Sequence, residues 1–133
     1  MTAILDLPFF QSTEQMADFL DAADYRPTFL FFHHPPIAQG SNLIDHEELL
    51  DIAFPRRQVK ALFYGHSHVY RYDKVANDLD LINIPAVGYN FNESVPVGWI
   101  ESRLTPEGRE FTLRAIGGNT ADNGQVKTLA WRT

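Results

Sequence analysis

Four of the five histidines in this 133-residue chain stand in two tight groups, His33-His34-Pro35-Pro36 and Gly65-His66-Ser67-His68. Neutral imidazole is a good ligand for zinc, iron, copper or nickel. Two such groups, brought side by side, can hold three imidazoles at ~2.0–2.1 Å from one metal ion. A single histidine after a strand is ordinarily a surface or hydrogen-bonded residue, so the chemistry depends on whether the fold joins the groups. Gly65 ahead of His66 predicts a backbone geometry, or a close approach to a ligand, that a side chain would block. Pro35 and Pro36 stiffen the loop after His33 and reduce the entropy lost on holding it in place. The fifth histidine, His46, lies near a helix start and reads as a solvated surface residue.

The elements that must position these groups are two apolar runs. Thr28 to Phe32 and Val59 to Tyr64 are nearly continuous in apolar residues, as strands covered on both faces are. Each run stops abruptly at a histidine group, and two prolines cannot continue a central strand. Ligand sites in open α/β sheets lie outside the C-terminal ends of the strands, where both groups fall. A helix precedes the first run: Ser12 and Gln15 have capping-box spacing, and Met16, Phe19, Leu20 and Ala23 form one apolar stripe. A second helix lies between the runs, with Asp45 and Glu48 at cap spacing, Leu49, Ile52 and Ala53 on its apolar side, and Pro55 at its end. With a short strand at Ile4-Leu5, the order is strand, helix, strand, helix, strand, which predicts a parallel βαβ arrangement. Later, Val69 to Val75 and Leu79 to Ile84 flank Ala76-Asn77-Asp78 as a hairpin. Gly98 to Leu104 and Glu110 to Ile116 flank Thr105-Pro106-Glu107-Gly108 as another. Residues 117–133 read as a polar, mobile tail, and residues 1–116 as one domain unit.

Composition narrows the function classes. At 44% hydrophobic and 21% charged, the chain is globular. A formal net charge of -6 argues against a broad basic face for nucleic acid or anionic membrane. With no cysteine, disulfides and cysteine-based zinc sites are excluded. No apolar run approaches the ~20 residues of a membrane span. The first eleven residues carry no basic stretch, and Asp6 interrupts their apolar segment, so no secretory signal is read there and the expected compartment is the cytoplasm.

The two histidine groups, each after an apolar strand and in this order, resemble the last two signature blocks of the calcineurin-like metallophosphoesterases. The subgroup that looks most similar holds bacterial cyclic-nucleotide and glycerophosphodiester phosphodiesterases. The resemblance implies an α/β fold: half of a four-layer α-β-β-α sandwich, with a mixed sheet that starts as parallel βαβ and ends in antiparallel hairpins. It implies hydrolysis of phosphoesters by two divalent metal ions (Mn, Fe or Zn) that share a bridging hydroxide. By position, His33 and His66 match ligands of the second metal and His68 a ligand of the first. His34 and Gly65 fall beside them, either supporting the ligands from behind or on the substrate side. No residue is assigned as catalytic.

The family's earlier blocks, which carry an Asp-x-His, a bridging aspartate and an Asn-His, do not occur in this sequence. Two divalent ions held ~3.5–4 Å apart need carboxylates to offset their charge. Three imidazoles alone are expected to hold at most one metal, weakly, and to leave the isolated chain inactive. The alternative reading is an inactive half-domain that works as a metal-binding or oligomerisation module. Because the chain is expected to supply mostly one sheet, that sheet's second face is expected to need a cover, either the missing N-terminal half or a second copy in a homodimer.

Overall fold

The computed structural model describes residues 10–22, 25–36, 45–104, 108–130 and 132–133. The expected strand at Ile4-Leu5, Ala23 of the first helix stripe and most of the turn at residues 105–108 lie outside them.

Two helices, α1 (Thr13–Ala22) and α2 (His46–Ala53), and seven strands build the molecule: β1 (Thr28–Phe31), β2 (Val59–Tyr64), β3 (Arg71–Val75), β4 (Leu79–Asn83), β5 (Pro96–Leu104), β6 (Gly108–Gly118) and β7 (Val126–Ala130). The first sheet has the order β1-β2-β4-β3. In it β1, β2 and β4 run parallel, and β3 pairs antiparallel to β4. The second sheet, β5-β6-β7, is antiparallel throughout.

Side chains on a strand alternate between faces, and β2 and β4 use both of theirs. Leu62 and Tyr64 of β2 and Leu79 and Leu81 of β4 pack with Met16 and Leu20 of α1 and Leu49 and Ala53 of α2. Ala61, Phe63 and Ile82 point the other way and meet Phe111 of β6 and Leu129 of β7. Three layers result: helices, mixed sheet, antiparallel sheet. This matches the expected α/β class and the parallel start with later hairpins.

The second hairpin differs from expectation. It does not extend the mixed sheet but forms a separate sheet, so the chain contributes to both sheets of the sandwich. The face expected to need a partner is therefore partly covered from within. The stretch read as a tail contains β7, which pairs with β6 from Gly108↔Ala130 to Thr112↔Val126. Its alternation was too short to stand out beside the Gly/Asn/Asp-rich stretch before it. Among the described residues no helix is long and apolar enough to cross a membrane.

The local signals held unevenly. Ser12 Oγ accepts the Gln15 amide at 3.2 Å. The Gln15 side chain, however, accepts from the Gln11 amide, one residue before the capping residue, at 3.0 Å. Asp45 makes no side-chain cap on α2. Glu48 instead accepts a 2.7 Å hydrogen bond from the Thr13 hydroxyl, linking the two helices. The turn at Ala76–Asp78 is a short 3-10 segment in which Asn77 and Asp78 both have φ of 56°, a conformation their short polar side chains tolerate.

Candidate metal centre

The centre forms where β1 and β2 end. Their parallel register pairs Phe31 with Phe63. The ladder then runs on into the loops: the Phe32 amide donates to Phe63 O at 2.9 Å, and the Gly65 amide donates to His33 O at 3.1 Å. Two backbone hydrogen bonds thus lock the two histidine groups against each other. His33 Nε2 lies 3.3 Å from His66 Nδ1. One ring nitrogen from each of His33, His34 and His66 falls within 4.8 Å of the others. His34 packs its ring on His66, centroids 4.4 Å apart.

The 3.3 Å separation admits two readings. As a hydrogen bond between imidazoles it is long. As two ligands of one tetrahedral ion it fits, because bonds of ~2.0–2.1 Å at a tetrahedral angle place the nitrogens about 3.3–3.4 Å apart. Partial desolvation, and after it the neighbouring His34, His33 and His68, pushes the His66 imidazole below its ordinary pKa. That favours the neutral form a metal requires. The donor set fits a borderline ion such as zinc. Among the described residues, the cluster contains no carboxylate.

His68 stands apart from this trio. Its Nδ1 lies 2.9 Å from Tyr89 O. A carbonyl only accepts, so Nδ1 carries a proton, and in the neutral ring Nε2 is the nitrogen with the lone pair. Metal-bound histidines are oriented in this way by a second hydrogen bond. Its ring stacks on Phe91 at 4.6 Å and meets Tyr89 edge-on at 4.6 Å.

Of the two roles expected of Gly65, the backbone of this turn rules out the special geometry. Gly65 does not need to be glycine for its own conformation: a Cβ there would meet only His33 O, at an ordinary 3.9 Å. Its part is to donate its amide. The left-handed backbone falls instead on His66 (φ 69°) and His68 (φ 55°). Non-glycine residues are uncommon there, and such strain collects at functional sites. Asn83, at the end of β4, holds the turn by donating its side-chain amide to Ser67 Oγ. Nothing in the local sequence marks Asn83 for this, since it reads as the last residue of a buried strand. His46, read as solvated, is half-buried at the start of α2.

Comparison with known proteins decides the family. Residues 3–70 match the model of the calcineurin-like phosphoesterases, a span that begins before α1 and closes on the Gly65–His68 turn. The chain belongs to the calcineurin-like phosphoesterase family. Within that family its subgroup is not marked, and no curated protein matches the chain. A solved structure of similar fold is a dimetal phosphatase from Danio rerio, with a TM-score of 0.68 at 15% identity. The alignment covers 91% of this chain and 38% of the phosphatase, so the chain spans well under half of that protein's length. At this identity the likeness is one of fold. At 91% of the chain, it reaches well beyond residue 70, where the phosphoesterase match ends.

Proposed function

We propose that this chain carries the histidine side of a metal-dependent phosphoester hydrolase centre, of phosphodiesterase or phosphatase type. The observation that carries the reading is the 3.3 Å approach of His33 Nε2 to His66 Nδ1 at the C-terminal ends of two parallel strands, in a chain of the phosphoesterase family. In this reading His33 and His66 share one ion. His68, with Nδ1 spent on Tyr89 O, offers Nε2 to a second. His34 faces the phosphate. Bound divalent metal (Mn, Fe or Zn) supplies charge to the phosphate oxygens and activates water. The residues of this chain orient the ions and fix the tautomers.

Zinc titration of the purified chain tests this. One ion per chain is expected, with affinity falling more than about tenfold in His33→Ala and in His66→Ala, at least as much as removal of an outer-shell partner costs. His68→Ala is expected to leave that first ion in place. Metal binding indifferent to His33 sinks the proposal.

A second reading is favoured by one observation: the cluster has only imidazoles among the described residues. In it the chain is a half-domain, inactive alone, that binds one metal weakly and acts through association, with the family's N-terminal half or with a second copy. Hydrolysis of bis-p-nitrophenyl phosphate by the isolated chain with manganese, abolished by His66→Ala, overturns it.

A further inference from the structure

The loop after β4 sets two aromatic rings against the centre. Tyr89 is 60% and Phe91 73% exposed. Their rings lie 5.5 Å apart at 87° to one another, and both touch the His68 ring at 4.6 Å. The loop is tied down behind them. The Gly98 amide donates to Ala86 O at 2.8 Å, and the Asn119 amide to Val95 O at 3.1 Å. Asn90 Nδ2 donates to Val95 O at 2.9 Å. Gly118, at φ +62°, makes room for that anchor, since a Cβ there would stand 2.3 Å from Val95 O and 2.5 Å from Asn90 Nδ2. Two large rings on a tethered polar loop, both turned onto a histidine and both open to solvent, have not been placed there by core burial.

Geometry relates them to the phosphate. His68 follows His66 by two residues, so their Cα atoms are at most about 7 Å apart. A phosphoryl group at the His33–His66 pair therefore has its ester substituent within reach of the Tyr89–Phe91 rings. Exposed aromatic faces bind other planar π-systems, nucleobases included, with little regard to sequence. We propose that Tyr89 and Phe91 are a stacking platform for a planar aromatic group carried on the phosphoester, an aryl ring or a nucleobase. This rests on the reading of the His33–His66 pair as a metal-bound phosphate site.

The test uses the zinc-loaded full chain and calorimetric or NMR titration with three ligands: methyl phosphate, phenyl phosphate and adenosine 5′-monophosphate. At least one aromatic ligand is expected to bind about tenfold tighter than methyl phosphate, ~1.4 kcal/mol. Preference for phenyl phosphate puts the ring on the ester oxygen; preference for the nucleotide puts it a ribose away. Phe91→Leu, which keeps the apolar bulk and loses the plane, and the double variant Tyr89→Ser with Phe91→Ser are expected to bring the ratio near one. A ratio near one in the unmodified chain, a ratio kept in both variants, or no binding of any of the three overturns the platform. His33→Ala is expected to weaken all three ligands together. Methyl phosphate binding indifferent to His33→Ala defeats the metal-centre reading, and this proposal with it. The platform alone fails when His33 dependence stays and the preference is absent.

Discussion

A left-handed backbone at His66 and at His68 is an energetic cost carried by two of the residues proposed as metal ligands. For an L-residue it amounts to roughly 1–2 kcal/mol, which glycine avoids. Comparing His66→Gly with His66→Ala isolates the backbone, because both remove the imidazole. The glycine variant is expected to be more stable by about 1 kcal/mol after its larger unfolded-state entropy is allowed for, read from urea midpoints. Equal stability of the two would mean the turn relaxes without strain. Asp80 poses the opposite case. It is wholly buried, pairs with the equally buried Arg109, accepts from the Tyr72 hydroxyl and lies 2.9 Å from Lys74 Nζ. Burial, and after it the Asp80 hydrogen bond, pushes the Tyr72 phenol well above its usual pKa, so it stays a donor. Removing one partner of a buried pair leaves an uncompensated charge, and Asp80→Ala is expected to cost roughly 3–5 kcal/mol. Replacing both, Asp80→Leu with Arg109→Met, is expected to recover most of that loss in the same denaturation assay.

Among the elements, those read well from sequence are the ones whose burial is local and repetitive. The apolar run from Val59 to Tyr64 became β2 with the same bounds, and the Ala76-Asn77-Asp78 turn joins β3 to β4. The two histidine groups were legible for a related reason, since each follows an apolar run that forms a strand and stands out by composition. What could not be read depends on partners far along the chain. Arg109 sits where alternation would call for an apolar residue, and Asp80, twenty-nine residues earlier, supplies its counter-charge. The division of the hairpins between two sheets follows from Phe63 and Ile82 meeting Phe111 and Leu129, contacts with no local signature. Arg132 is the extreme instance. Its guanidinium donates to the carbonyls of Val59 at 2.6 Å, Arg56 at 2.7 Å, Ala53 at 2.8 Å and Asn77 at 3.2 Å, so it closes the C-terminal end of α2 and ties that end to β2. Hydrogen bonds to a charged group contribute ~1.5–3 kcal/mol each where carbonyls would otherwise be stranded. Arg132→Ala is expected to lose about 3 kcal/mol, with hydrogen exchange quickening first in α2 and the 54–58 turn. A loss spread evenly over the molecule would contradict a local latch.

The whole molecule is asymmetric. On the β3/β7 side the two sheets are bridged by Lys127, whose Nζ lies 3.6 Å from the Tyr72 ring. On the β1/β5 side they are open. Both β1 and β5 end their sheets, each paired on one side only among the described residues. Between them lies a cleft of roughly 400 Å³ lined by Phe29, Phe31, Phe63, Val87 and Trp99 among others, with Phe31 65% and Trp99 47% exposed. Two unpaired strand edges flanking an apolar cleft make an association surface, since free edges recruit strands and exposed apolar patches recruit cover. The chain is expected to self-associate through this side. Sedimentation over a hundredfold range of concentration checks it: the weight-average mass should rise with concentration, and Phe31→Ser with Trp99→Ser should hold the chain as a monomer. Because both side chains are largely exposed, the double variant should differ little in unfolding free energy, by no more than about 1 kcal/mol. A compact monomer at the highest concentration would show instead that the open side is stable as it stands, and that the partial cover supplied by β5 to β7 suffices.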